Sequence, residues 1–499
     1  MKKVTVIGAG ASGLAAAARL QSKGFQVDLF EKNPQVGGKM YQIKENGFTF
    51  DVGPTIVMMP DIYREVFSDC GKDPDDYINM KKVEPMLTLN FPGEDDLSIS
   101  TDLVKMTSTL ESISEQDTQG YLSYISDIYK RYLVAKNKFL NRAFRSPWDF
   151  YNPKSLINGL KLKTFSDAYS SISKFVEDER LRKSLAFQTL YIGISPYSGP
   201  SIYTIIPMIE LLYGVWFLKG GMHSMAEATA KLFTDLGGNL HLDKSVDEII
   251  MEDRHARGVS VDGEFVSSDY IVCSADFPYA VDSLICDGEH RGKYTSEKIK
   301  NMEYSASCFV IYLGLDKKYP VKSLHTIRFA NSFDTNVDDI FERYDFPDDP
   351  SFYMYVPTFI DESLAPKDHE SVYILVPVPE LSRTKINWDE ENVHKYKNKV
   401  LDLVERETLF NDIRDHIVFE DYYTPNEFKD KFNSYNGTAF GLKPTLRQSN
   451  YYRPHNKYPY CENLYFCGSS THPGAGVPIV LNSGKLAAEE LIKDDTDRK

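Results

Sequence analysis

The chain has 499 residues, enough to bury a large core and to form two or three domains. Its 57 basic and 72 acidic residues leave a net charge of −15, which argues against a nucleic-acid partner and against a polybasic membrane anchor. Six scattered cysteines with no CxxC pair read as reduced thiols of a cytosolic protein rather than metal ligands, and no stretch reaches the about 20 apolar residues that cross a bilayer.

Val4 to Ile7 is a short β-branched apolar run, the pattern of a buried parallel strand. Gly8-Ala9-Gly10-Ala11-Ser12-Gly13 follows at once, then the helical Ala/Leu run Leu14 to Leu20, then a second strand, Gln26 to Phe30, ending at Glu31. Gly8 permits the tight turn, Gly10 lets backbone approach a pyrophosphate, and Gly13 allows close helix–strand contact. The helix N-terminus presents free N–H groups to the phosphates, and Glu31 stands where a carboxylate accepts from an adenosine ribose. Lys2 and Lys3 before an alanine-rich run also match the start of a secretory signal, but Arg19 interrupts the apolar segment and the dinucleotide reading wins.

Lys32 to Lys39 holds the glycine pair Gly37-Gly38 before a cation, and a short strand runs into Gly53-Pro54-Thr55. Such a loop suits a second pass along a diphosphate. Tyr121, Ile125, Ile128, Tyr132, Ala135 and Phe139 recur at helical spacing and predict a long amphipathic helix over Thr118 to Leu140. The apolar, aromatic segments 186–193 and 200–208 fit a hydrocarbon tunnel or a membrane-facing surface. The pattern returns to α/β with a helix from Ser224 to Leu236 and strands at Leu240 to Leu242, Ser245 to Ile250 and Tyr270 to Ser274. From about 300 to 440, the runs Cys308 to Leu315, Ser351 to Val356 and Val372 to Val378 predict an antiparallel sheet. At the end, Asn463 to Gly468 is a strand into glycine. A loop from Ser469 to Gly476 follows, and Pro478 opens a helix running to about Ile492.

Glu31-Lys32 followed by Val36-Gly37-Gly38-Lys39 resembles the second signature of FAD-binding flavoproteins of the glutathione-reductase structural type, in their amine-oxidase and carotenoid-desaturase branch. The usual arginine is here Lys39, which keeps charge but loses the bidentate fork. The string His472-Pro473-Gly474-Ala475-Gly476-Val477-Pro478 resembles the C-terminal signature of bacterial phytoene and diapophytoene desaturases. Gly53-Pro54-Thr55, segment 186–193 and segment 441–452 are similar to the thirty-carbon branch of that family, the dehydrosqualene desaturases.

The resemblance implies an α/β fold with a Rossmann-type, glutathione-reductase-like FAD-binding domain assembled from 1–75, 220–290 and 455–499. It implies a mostly helical, substrate- or membrane-facing insertion at 76–219 and a β-rich antiparallel-sheet substrate domain at 291–454. The implied cofactor contacts are Gly8, Gly10, Ala11, Ser12, Gly13, Glu31, Lys32, Gly38, Lys39, Gly53, Pro54, Thr55, the backbone of Val246 against the adenine, Gly468, Gly476, Val477 and Pro478. The family reaction passes a hydride to FAD and releases a proton from the neighbouring carbon of a lipid-soluble isoprenoid, with no metal. It points to peripheral work at the inner face of a bacterial plasma membrane.

Asp149, in a polar break between apolar helices, is the candidate proton acceptor; His472 and Glu210 are further candidates, each also readable as a turn residue or a paired core group. Ser/His/Asp, HExxH and Walker patterns are absent from the sequence. A flavin-dependent carotene isomerase or carotenoid oxidase would share both terminal motifs, an amine oxidase would share the fold, and a prenyl-lipid escort of related fold would lack redox chemistry.

Overall fold

A computed structural model describes residues 1–136, 140–151, 166–286 and 288–497. A five-stranded sheet carries the N- and C-terminal motifs, in the order Asn239–His241, Gln26–Phe30, Lys3–Ile7, Tyr270–Cys273 and Leu464–Phe466, all parallel. The strand Lys3–Ile7 is central and apolar along its length because both faces are covered. The helix Ala11–Ser22 covers one face, with Leu14 to Ala18 and Leu20 fully buried, and packs with the helices His223–Asp235 and Val477–Asp497.

The first helix begins three residues earlier than its leucine run predicts, so Ala11, Ser12 and Gly13 are already helical. Of the strands expected where the α/β pattern returns, 240–242 and 270–274 fall in this sheet, whereas Ser245 to Ile250 does not. Val246–Glu252 forms an antiparallel hairpin with His255–Val261, extended by Glu264–Ser267 in a separate sheet. Its interleaved polar residues mark a strand with one face toward water, and Asp253 takes the left-handed turn conformation that reverses the chain. Only Asn239–His241 closes the parallel sheet on that side.

The second sheet runs Ile417–Tyr423, Ser307–Leu315, Glu370–Val378, Phe352–Tyr355, His325–Arg328, Leu87–Asn90 and Leu97–Ile99. It is antiparallel except between His325–Arg328 and Leu87–Asn90. The expected insertion 76–219 is therefore not helical throughout: residues 87–99 are an edge hairpin of this sheet, and Met80–Lys82 and Val215–Leu218 pair in a third small sheet. Ser307–Leu315 is buried at every position. Its Phe309, Ile311, Leu313 and Leu315 pack under the amphipathic helix Glu390–Glu407, while Cys308, Val310 and Tyr312 face the large interior cluster. That helix was not foreseen, although Val393, Tyr396, Val400 and Val404 stand at helical spacing.

The expected long helix is present as Glu115–Ala135, capped by the Ser114 side chain accepting from the Asp117 N–H at 3.1 Å. Tyr121, Tyr124, Ile128, Tyr132 and Ala135 are buried; Phe139 lies outside the described residues. The helix Glu390–Glu407 is pinned to the sheet by Arg328. This fully buried cation donates from Nε to Glu407 at 2.7 Å and from Nη1 to Asp349 at 2.5 Å. Arg328→Met removes the buried counter-charge of Glu407 and leaves it only the exposed Arg406. It is expected to lower folding stability by about 3 kcal/mol, read as a fall in the denaturant midpoint; an unchanged midpoint would show that the pair contributes nothing net.

Candidate functional site

The two terminal motifs meet at the edge where the parallel strands end. Gly8 has φ +91 and donates its N–H to Phe30 O at 2.8 Å. Glu31, buried, accepts from the Ala9 N–H at 2.8 Å through one oxygen and from the Asn33 N–H and Nδ2 at 2.9 Å through the other. The carboxylate thus ties the end of the second strand to the glycine loop, in addition to any ribose contact through its remaining lone pairs. The second motif folds back over the first: Gly37 N–H donates to Ala9 O at 2.8 Å, and a methyl on Gly38 would lie 3.2 Å from the Gly10 Cα.

The glycines of the first motif divide by what surrounds them. A methyl on Gly13 would overlap the Gly8 carbonyl oxygen, so Gly13 lets helix and loop touch. A methyl on Gly10 would meet only Ser274 Oγ, at 3.8 Å, so the space in front of Gly10 is open. Gly10 is also the N-cap of the first helix, with no side-chain cap and no acid in the first turn. The last helix, Val477–Asp497, likewise has no acid in its first turn, and the space beside Gly476 is empty. Val477 and Pro478 stand as its first two residues. Gly468 N–H is held by Ser483 Oγ at 3.1 Å. Two helix N-termini with unneutralised dipoles at one sheet edge fit a dinucleotide pyrophosphate and an electron-rich ring.

Lys39 departs from the phosphate contact expected of it. Its buried Nζ donates to Ser434 Oγ at 2.9 Å, Thr438 O at 2.9 Å and Ala439 O at 3.0 Å, which uses all three N–H groups. Burial pulls its pKa down against the opposing influence of Asp276. Lys32 is similar, donating to Asp430 O at 2.8 Å and Asn433 Oδ1 at 2.7 Å. Both cations lash the N-terminal loops to segment 430–439. The compact ammonium in place of a planar guanidinium was the signal for this in the sequence.

Three tyrosines fix the Gly53-Pro54-Thr55 segment against the second sheet. Tyr312 OH donates to Val52 O at 2.8 Å, Tyr373 OH to Gly53 O at 3.0 Å, and Tyr353 OH pairs with Thr55 Oγ1 at 2.6 Å. Tyr312 and Tyr373 stand directly opposite each other on paired strands. Val246 packs in one cluster with Ile7 and Phe30, the residues preceding Gly8 and Glu31.

Arg453 was missed by sequence reasoning. Fully buried, it donates to the carbonyls of Leu442 at 3.0 Å, Gln448 at 3.0 Å, Ser469 at 2.5 Å and Thr471 at 3.3 Å. Burial lowers its pKa to about 10, so it remains a cation that shapes the loop before the last helix. Nothing in its local sequence separates it from a surface arginine.

Asp149 is tied to the C-terminal motif through Arg142, which donates to its carboxylate and presents its carbonyl to His472. It is the third residue of the short helix Pro147–Phe150 and accepts from the N–H groups of Arg145 and Ser146, each at 2.9 Å, and from Arg142 Nη2 at 3.1 Å. Partial burial raises its pKa, but these donors outweigh that and hold the carboxyl below its ordinary value. It is a cap and an ion-pair partner, poorly suited to accept a proton. His472 is buried with Nε2 at 2.9 Å from Arg142 O, its ring 4.9 Å from Phe144. Glu210 is fully buried in the helix Ile205–Tyr213 and accepts from Gln188 Nε2 at 2.6 Å; burial pushes its carboxyl up to about 8. Among the described residues no cluster of His, Cys, Asp and Glu is arranged to hold a metal ion.

The profile of the family described as flavin containing amine oxidoreductase matches residues 11–492. A 4,4'-diapophytoene desaturase (4,4'-diaponeurosporene-forming) of Staphylococcus haemolyticus is 48% identical over 495 residues, covering 98% of this chain and 99% of that one. The protein of the same name from Staphylococcus aureus strain Newman is 46% identical, covering 99% of each chain. Among solved structures, an oxidoreductase from Methanosarcina mazei superposes with a TM-score of 0.64 over 98% of this chain at 17% identity, a likeness of fold. Gly10→Val is expected to purify folded but without flavin absorbance, melting as the flavin-free wild-type protein does. Gly13→Val is expected to lose both, because its side chain collides with the loop itself. Full yellow flavin content in Gly10→Val would remove this loop from the cofactor site.

Proposed function

Because the chain belongs to the flavin containing amine oxidoreductase family, we propose that it is an FAD-dependent desaturase of a thirty-carbon carotenoid precursor, converting 4,4'-diapophytoene (dehydrosqualene) to 4,4'-diaponeurosporene. The observation that carries this reading is the 46–48% identity that extends over nearly the full length of both chains. It therefore embraces the second sheet and its insertion as well as the glycine loops. FAD at the sheet edge supplies the hydride acceptor.

The residues of this chain supply position and dryness. Gly10, Ala11 and Ser12 offer backbone N–H groups to the pyrophosphate, and Gly476, Val477 and Pro478 bring the second helix N-terminus to the ring end. Glu31 fixes the loop from behind. The Gly53-Pro54-Thr55 segment, held by Tyr312, Tyr353 and Tyr373, joins that edge to an interior lined by apolar and aromatic side chains. A hydrocarbon offers nothing for strong hydrogen bonds, and a lining of this kind excludes water from the reacting carbons.

Such a substrate dissolves only in lipid, and we infer that the protein works peripherally at the inner face of a bacterial plasma membrane. Among the described residues no helix is long and apolar enough to cross a membrane. The long helix Glu115–Ala135 carries exposed Leu122, Tyr129 and Leu133 along its outer side, and Leu103, Val104 and Trp148 are also exposed. The double variant Leu122→Glu/Leu133→Glu is expected to lose co-sedimentation with anionic phospholipid vesicles while keeping its flavin; unchanged sedimentation would move the docking face elsewhere.

Co-expression in a pigment-free host with a synthase for the thirty-carbon precursor, and separately for the forty-carbon one, tests the reaction. Coloured thirty-carbon polyenes with hydrogens lost in pairs are expected. Colourless extracts from both strains, with flavin-bound protein present, would turn the assignment toward an isomerase or oxidase. A purified protein without flavin would point to a lipid escort.

A further inference from the structure

Within the apolar cluster behind the Gly53-Pro54-Thr55 segment lies a group of polar atoms that the contacts described so far leave unused. Glu210 Oε1 and Gln188 Oε1 are both buried, and neither has a hydrogen-bond partner among the described residues. Both residues line a cavity of about 20 Å³ otherwise walled by Met86, Leu87, Met106 and Leu185. A cavity of that size holds one water, and its lining includes both residues whose side-chain oxygens are left without a partner among the described residues. Two acceptors at one dry site also require a proton: either the carboxyl carries it or a water donates it.

Two further hydroxyls extend the group. Tyr191 OH is buried and unpartnered among the described residues, and it lies within electrostatic range of both Glu210 and Tyr353. Tyr353 feels the Glu210 charge as well, and its hydroxyl joins Thr55 Oγ1 at 2.6 Å and His325 Nδ1 at 2.8 Å. Hydrogen bonds join Thr55, Tyr353 and His325 into one group, and a separate one joins Glu210 to Gln188 in the 186–193 segment expected to line a hydrocarbon tunnel. A purely structural glutamate would have both oxygens satisfied or would be replaceable by an apolar side chain at a gain.

We propose that Glu210, half satisfied beside a water-sized cavity and hydrogen-bonded to Gln188, is the proton-holding residue of the reaction, receiving the proton that leaves the substrate. The inference rests on the desaturase reading. In each desaturation one carbon gives up a hydride to the flavin acceptor, and the neighbouring C–H bond breaks with its electron pair becoming the second bond of the new C=C. The proton so released converts the Glu210 carboxylate to the carboxylic acid and passes to solvent between turnovers. Asp149, whose donors hold its carboxyl below its ordinary value, is the weaker base of the two.

The titratable side chains on the elements packed around Glu210 are Tyr121, Tyr124 and the Arg131–Asp127 pair of the long helix, Tyr191 and Tyr203 from the adjoining turns, and Tyr353 from the sheet. Burial holds all of these tyrosines above their ordinary range. Asp51, whose charge also reaches Tyr353, is raised by burial to about 6, and Glu210 to about 8, so the two carboxyls change charge in separate ranges. The Glu210 folded-state value stands above the unfolded one, so its contribution to stability is complete below about pH 4.5 and is lost as pH rises through about 8.

The test uses the flavin-loaded protein. Glu210→Gln is expected to keep flavin and melting temperature but to slow desaturation by about 100-fold or more, with Glu210→Asp partly active. In wild-type protein without substrate, infrared difference spectra are expected to show a protonated-carboxyl band that titrates near pH 8 and is missing from Glu210→Gln. Wild-type desaturation should rise with pH through the same range. Activity of Glu210→Gln within twofold of wild type, or absence of that band, overturns the proposal. Should Glu210→Gln fail to fold, a flat wild-type pH profile across the same range would overturn it. A wild type that forms no coloured thirty-carbon product fails the desaturase reading instead, while the infrared band still reports the proton site.

Discussion

The backbone of the first helix lies so close to the glycine loop at Gly13, and to the last helix at Gly484, that one methyl at either place would overlap a carbonyl oxygen of Gly8 or of Ser12. Those two approaches bring the N-termini of Ala11–Ser22 and Val477–Asp497 to one edge of the parallel sheet. Neither first turn carries an acid, and the space beside Gly10 and Gly476 is empty of side chains. The positive ends of two helices are therefore left for a ligand to neutralise. The cofactor edge is built from absent atoms as much as from present ones.

From that edge the architecture is transmitted by hydrogen bonds of single side chains to backbone. Glu31 holds the second strand to the glycine loop. Lys39 and Lys32 hold the adjoining loops to segment 430–439, and Arg453 gathers four carbonyls ahead of the last helix. Tyr312, Tyr353 and Tyr373 hold the Gly53-Pro54-Thr55 segment against the second sheet. Lys32, Lys39 and the three tyrosines join stretches of the N-terminal third to residues hundreds of positions later, whereas Glu31 and Arg453 act over short separations. The strand Ser307–Leu315 extends the same logic to packing, with alternate residues facing the helix Glu390–Glu407 and the interior.

Buried charge in this protein is almost always answered. Arg328 meets Glu407 and Asp349, Arg453 meets four carbonyls, and Asp51 accepts from the N–H groups of Met222 and His223 at the start of a helix. Glu210 differs in that one of its oxygens has no partner among the described residues while the residue lines a water-sized cavity. That contrast, rather than burial alone, gives it a chemical reading.

The sequence by itself determined the parts whose cause is local. The strand–glycine–helix unit at 3–31, the strand and helix at 464–497 and the stripe of Glu115–Ala135 follow from short-range periodicity and from glycines that only one turn geometry requires. The resemblance carried by Val36 to Lys39 and His472 to Pro478 located the same edge. Tertiary structure alone decided what depends on partners distant in the chain. It placed Val246 in an antiparallel hairpin outside the parallel sheet, drew residues 87–99 into the second sheet, turned Lys39 away from phosphate and used Asp149 as a cap. It made Arg453 a buried organiser and left Glu210 half satisfied. Propensity and spacing report how a segment folds, but the role of a charged side chain is set by which donors and acceptors the rest of the chain brings within about 3 Å of it.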